Sequence, residues 1–352
     1  MSSVTISDDL AQGAANCVLD CGGVQAGQSL YVVNETGAVE QEVVDAIAAT
    51  GVGAGAEVSI VWAPPIPKDT RDAIPPDVLA AYRGADVLIS HYPSLKREAL
   101  VAHFGSETRV RVPNRARTAD LLGSDWARFP YGLQRVIASR LDGLMAPGQN
   151  WRVTTPAGTD VAGTFGAAGG AVGDAFFVDT DDGRARRNFP GGVHAPRSCG
   201  ALDGVIVCEY LDGVDMAASD APLVIRLADG RVRDVQGGDV AGQMRATVTA
   251  SDGHIDSWHA GVHPRTRVPI SRGQNARQWF SYSHCSPDIL HFHLGRSHET
   301  TNVAVFGQTL DVAGQLLYDA GQLVIADGEI AAAIAAAGMQ PDMFLSRDIG
   351  RW

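Results

Sequence analysis

The chain has 352 residues, 45% hydrophobic and 19% charged, which is enough apolar side chain for a packed core and too much for global disorder. Its 28 Lys and Arg stand against 40 Asp and Glu, a formal charge of −12, so a nucleic-acid partner or an anionic membrane surface is not expected: phosphate neutralisation needs a basic face. No run of about 18 apolar residues offers a transmembrane helix, the polar start at 1–10 lacks the regions of a secretory signal, and five cysteines are too few for a disulfide scaffold, which points to a reducing cytoplasm.

In chain order, Cys17 and Cys21 are spaced four apart on what reads as a first helix, where they pack; no second pair completes a metal site. The run 29–34 (SLYVVN) is a β-branched strand after a Gln25-Ala26-Gly27 turn. Helical spacing of Val43, Val44 and Ile47, with Glu40 and Glu42 in the first turn, predicts a helix over 39–50 that Gly51, Gly53 and Gly55 stop. Strand 57–62, a proline-rich loop, helix 77–83, strand 85–90, helix 96–103 and strand 109–112 follow, then a helix over 133–144. That alternation predicts an α/β domain over 1–150 with a parallel, helix-covered sheet.

From 151 the character changes to short alternating strands between Gly-rich turns, at 151–155, 205–210, 223–227 and 232–235, with Asp229-Gly230 and Asp182-Gly183 as turn signals. A β-rich α+β domain is expected over 151–352. The Gly/Ala stretch at 163–173 lacks the Lys-Ser/Thr of a phosphate-binding loop and reads as a plain loop.

Histidine placement is the most informative feature. Seven of the ten histidines fall between 254 and 298: His254, His259, His263, His284, His291, His293 and His298. Imidazole is the commonest metal ligand. His291 and His293, two apart, share one face of a strand, and a third ligand from a neighbouring segment would complete a site. His254-Ile255-Asp256 has the form of a facial-triad fragment, although it follows a turn signal. Asp311, between apolar neighbours, needs a metal or an arginine as partner. No G-x-S-x-G elbow is present, and Cys285 beside His284 faces the other way on a strand, so neither makes a nucleophile–base pair.

Several segments resemble the M29 family of metal-dependent aminopeptidases, of the aminopeptidase T type: Val24-Gln25-Ala26-Gly27-Gln28-Ser29-Leu30; Arg152-Val153-Thr154-Thr155-Pro156-Ala157-Gly158-Thr159-Asp160, the most specific match; Asn188-Phe189-Pro190-Gly191-Gly192; the hairpin around Asp229-Gly230-Arg231-Val232; and His291-Phe292-His293-Leu294-Gly295. The departures fall on metal ligands. Val193-His194 stands where those peptidases carry a Glu, His259 takes the place of a second Glu, and Thr309-Leu310-Asp311 keeps the Asp of a final H-x-D and loses its His. His259 is instead similar to the H-x-G histidine of the 2,5-dihydroxypyridine 5,6-dioxygenases, ring-opening iron enzymes of the same fold.

That resemblance implies one Fe(II) held by His259, by His291 or His293, and by Asp311, leaving positions for a chelating hydroxy-heteroaromatic substrate and O2. His91, closing its strand in Ser90-His91-Tyr92-Pro93, resembles an acid/base histidine of that pocket, and strand C-terminal ends are where open α/β sheets bind ligands. His194, Trp258 and Arg296 are candidates to contact the substrate. Register alone decides between His291 and His293. The competing expectations are a zinc- or cobalt-dependent hydrolase (aminopeptidase or amidohydrolase) and a metal-free descendant. The partner expected is a small molecule, with homo-oligomerisation implied by the resemblance.

Overall fold

A computed structural model describes residues 6–65, 75–92, 109–166, 177–179, 185–194, 202–211, 221–263, 285–295, 301–324 and 328–339. The chain divides into two compact units, Met1–Gly132 with Phe176–Gly191, and Leu133–Ala175 with Gly192–Trp352. It therefore passes between them three times rather than through one linker near 150. The expected helix at 96–103, the Asp182-Gly183 turn and most of the Gly/Ala stretch lie outside the described residues.

The first unit is α/β. It runs α1 (Asp8–Ala15), a π-helical continuation (Asn16–Cys21), β1 (Ser29–Glu35), α2 (Gln41–Gly53), β2 (Glu57–Ala63), α3 (Pro76–Gly84), β3 (Val87–His91) and β4 (Val110–Pro113). Two short strands, β7 (Phe177–Asp179) and β8 (Ala185–Arg187), return to it later. The sheet order is β2-β1-β3-β4-β8-β7, parallel except for the β7–β8 pair. Leu30, Val32 and Val33 of β1 and Val87, Leu88 and Ile89 of β3 are fully or almost fully buried, as strands covered on both faces must be. Helix α2 buries Val43, Val44, Ala46 and Ile47, each large side chain worth about 1.5–3 kcal/mol against exposure.

Gly51 does not stop α2. A Cβ there would meet Leu30 Cδ2 at 2.5 Å, so the glycine lets helix and strand approach and the helix runs on to Gly53. Pro76 opens α3 at a position where its missing N–H costs nothing. Cys17 and Cys21 are both buried in the π-helical turn, where burial pushes the Cys17 thiol well up, and Asn114 Nδ2 donates to Cys17 Sγ.

Most of α4 (Tyr131–Leu144), from Leu133 on, belongs to the second unit, which carries two antiparallel sheets. The larger has β5 (Asn150–Thr154), β6 (Asp160–Thr164), β10 (Leu202–Cys208), β12 (Leu223–Ala228), β13 (Arg231–Gln236), β17 (Thr309–Val312), β18 (Gln315–Asp319) and β19 (Gln322–Leu323), ordered β13-β12-β10-β6-β5-β17-β18-β19. The smaller has β9 (Val193–His194), β11 (Tyr210–Leu211), β14 (Ile255–Gly261), β15 (Ile289–Leu294) and β16 (Thr301–Phe306), ordered β11-β16-β15-β14-β9. Helices α5 (Val240–Ala250) and α6 (Gly328–Ala336) complete it. The fold is thus an α/β region followed by a β-rich α+β region, as the sequence predicts. Among the described residues no helix is long and apolar enough to cross a membrane.

One face of the smaller sheet is joined to the larger by aromatic packing. Trp258 on β14 meets Trp151 on β5 edge-on at 5.6 Å between ring centroids, and Phe165 lies 6.2 Å from Trp258. Tyr318 Oη on β18 donates to the Gly261 carbonyl of β14 at 2.9 Å. Gly261 has no alternative here, since a Cβ would lie 1.9 Å from the Ser286 carbonyl oxygen.

Candidate metal centre

The histidines owe their convergence to one irregularity. Strand β14 pairs with β15 from Ile255 opposite Leu294, then skips Asp256, so that Ser257 faces His293, Trp258 faces Phe292 and His259 faces His291. Unbroken pairing would have set His259 opposite Leu290. The bulge moves every later residue of β14 by one place, which in a pleated strand exchanges the two faces. His259, His291 and His293 then share one face, while Trp258, Phe292 and Leu290 share the other, in the core.

The three rings pack against one another edge-on. Ring centroids are 4.3 Å apart for His259–His293, 5.0 Å for His259–His291 and 5.1 Å for His291–His293. One nitrogen from each lies within 4.8 Å of the others, with His259 and His291 buried and His293 half-buried. Bonds of about 2.0–2.1 Å set nitrogens roughly 3.4 Å apart around a tetrahedral ion. The trio therefore has to contract by no more than roughly 1.4 Å to take one, a shift within side-chain reach. Three neutral imidazoles are a donor set that suits Zn, Fe or Co, so these residues fit a single divalent ion. Ser257 Oγ lies 2.9 Å from His293 Nδ1.

Asp311 does not join them. It lies on β17 of the larger sheet, opposite Arg152, and its neighbour Val312 stands opposite Trp151. Trp151 points to the smaller sheet, so Asp311 and the exposed Arg152 are on the face turned away. The Asp311 carboxylate instead accepts from the Gly314 backbone N–H at 2.9 Å, closing the β17–β18 hairpin. The partner it has among the described residues is this turn amide.

Trp258 is likewise a core residue, fully buried on the face opposite the histidines, and is not placed to stack on a ligand beside them. His194 stands opposite Ala260 in β9; its side chain lies outside the described residues, as does the whole of Arg296. His254 forms a bridge with Arg231 ahead of the bulge, and its carbonyl accepts from Gly295, so the His254-Ile255-Asp256 triplet serves the turn. Cys285 is buried and its backbone carbonyl takes the His263 N–H at 2.9 Å. Neither Ser257 nor the bulge follows from the histidine pattern, although Ser257 is two residues from His259, the same spacing that links His291 to His293.

His91 belongs to the first unit. It ends β3 beside Asn34 of β1, fully buried. Asn34 Nδ2 donates to the carbonyls of Val32 at 3.1 Å and Val61 at 3.3 Å, so the amide oxygen is the atom 2.9 Å from His91 Nδ1. An amide oxygen only accepts, so Nδ1 carries the proton and Nε2 the lone pair. Nε2 is buried without a hydrogen-bond partner among the described residues. Burial first, and the Arg117 charge second, push this imidazole down to about 3. Near neutral pH it is an uncharged hydrogen-bond acceptor, which removes the acid half of the acid/base role expected of it.

No protein-family profile matches the chain, and no curated protein does. Solved structures do. The 2,5-dihydroxypyridine dioxygenase from Pseudomonas putida KT2440 superposes with a TM-score of 0.66 and 14% identity, over 93% of this chain and 100% of that one. Wild-type AmpT from Thermus thermophilus superposes with a TM-score of 0.59 and 12% identity, over 91% and 100%. The fold is shared with both. Identities this low carry the architecture and leave the reaction to the site.

Proposed function

We propose that this chain is a mononuclear divalent-metal enzyme that opens a small hydroxylated N-heteroaromatic ring with dioxygen. The observation that carries the reading is the group formed by His259, His291 and His293, with no carboxylate in it among the described residues. A dinuclear peptidase centre needs bridging carboxylates to hold two cations together, and three imidazoles on one strand pair favour a single ion. The dioxygenase among the structural neighbours suggests the reaction class. When bound, divalent iron supplies a redox-active centre with coordination positions to spare for an electron-rich ring and dioxygen.

The protein's part is placement. The strand pair fixes the three rings on one face, and Ala304, small and buried, stands opposite His291. Asn302, opposite His293, puts an amide on that face. A small-molecule substrate and self-association belong to the same reading.

The second reading is a zinc- or cobalt-dependent hydrolase. It is favoured by the position of Asp311, because an all-histidine set also serves hydrolytic zinc, whereas the familiar iron triad includes a carboxylate. One experiment separates them. Protein loaded anaerobically with Fe(II) is mixed with 2,5-dihydroxypyridine and O2, and protein loaded with Zn(II) or Co(II) is given peptide amides. The dioxygenase reading predicts one O2 consumed per ring lost and no peptide cleavage; cleavage without oxygen uptake would overturn it.

A further inference from the structure

Resting on the metal reading, the structure points to one further residue of the site. Ser257 is the first residue of β14 back in register after the bulge, directly opposite His293. Its hydroxyl lies 2.9 Å from His293 Nδ1. An imidazole that binds a cation through one nitrogen keeps a proton on the other and needs an acceptor for it; that outer partner fixes both the tautomer and the ring orientation.

We propose that Ser257 is a positioning residue whose Oγ accepts the Nδ1–H of His293 and so presents Nε2 to a divalent cation. The hydroxyl is a rotor and can also donate. If it donated to Nδ1, the proton would sit on Nε2 and the ring could not ligate through that atom. Accepting is the orientation that leaves Nε2 free to ligate. The device is economical in sequence: one bulge at Asp256 brings His259 onto the face of His291 and His293 and aligns Ser257 with His293 in the same step.

The test compares the full-length wild type with Ser257→Ala and Ser257→Thr. Co(II) affinity is measured by competition with a chelator, and the His293 tautomer by long-range 1H–15N NMR on Zn(II)-loaded protein. Ser257→Ala is expected to bind Co(II) about 10–100-fold more weakly, with thermal unfolding of the metal-free protein unchanged, and the Nδ1–H of its Zn(II)-bound His293 should exchange faster with water. Ser257→Thr, which restores the hydroxyl, should recover wild-type affinity. Wild-type affinity in Ser257→Ala, or an Nε2–H tautomer in the loaded wild type, overturns the proposal. A wild type that binds no cobalt overturns the metal reading as well, and is thereby distinguished from failure of the serine's role alone.

Discussion

Two regions of this protein hold buried histidine, and they hold it differently. His91 is solitary: an asparagine amide satisfies one nitrogen, burial suppresses its charge, and the other nitrogen has no partner among the described residues. His259, His291 and His293 stand ring against ring on one sheet face, with nitrogens converging within 4.8 Å. A single imidazole in a dry setting is stable when neutral and hydrogen-bonded. Three converging imidazole nitrogens are an arrangement that one shared cation would satisfy. Burial alone therefore does not mark a metal ligand; the direction of the nitrogens does.

The largest effect that could break the comparison is on metal content. His291→Ala should fall from about one divalent metal per chain to near none, while His91→Ala keeps its full complement; elemental analysis of both after loading decides it. Metal retained by His291→Ala would remove the distinction between the two regions.

A smaller effect sharpens the contrast through pH. His91 has an ordinary value of 6.5 and is held at about 3 in the folded chain. Below 6.5 the unfolded chain takes up a proton that the folded chain refuses, so stability present above 6.5 falls as the pH drops toward 3. The slope attributable to this residue is about 1.4 kcal/mol per pH unit at most. Denaturant unfolding of the metal-free protein should show that slope, and the His91→Gln variant should have a shallower one. Identical slopes would mean that His91 titrates in the native state.

The smallest effect concerns Asp311. Asp311→Asn should leave metal affinity unchanged and cost at most about 1 kcal/mol from the hairpin contact; a tenfold loss of affinity would return this residue to the site.

Much of the fold was legible because its signals are local. The buried β-branched runs of β1 and β3 announce a covered parallel sheet. Asp229 and Gly230 both have positive φ, 55° and 68°, which is the turn their dipeptide predicts for the β12–β13 hairpin. The most specific family-like segment proves to be architectural. Arg152 grips Asp160 across the β5–β6 hairpin through two bonds of 2.8 and 2.7 Å, and Thr155 Oγ1 accepts the Thr159 N–H inside the turn.

The site was half legible. Alternation puts His291 and His293 on one face whatever their partners are, so the choice between them dissolves. The face of His259 depends on the bulge, a property of the pairing that no single strand reveals. Asp311 misled because an apolar frame tells that one face is buried, not which sheet the strand joins; the strand joined the larger sheet with Asp311 turned outward.

Among the described residues, His259, His291 and His293 are the group proposed to hold one divalent ion. X-ray absorption on protein loaded with one equivalent of Co(II) or Zn(II) tests it directly. The predicted spectrum fits three imidazole nitrogens around a single ion, and loses that pattern in His259→Ala. A fit requiring a protein carboxylate, or a metal–metal distance from a second ion, would contradict it.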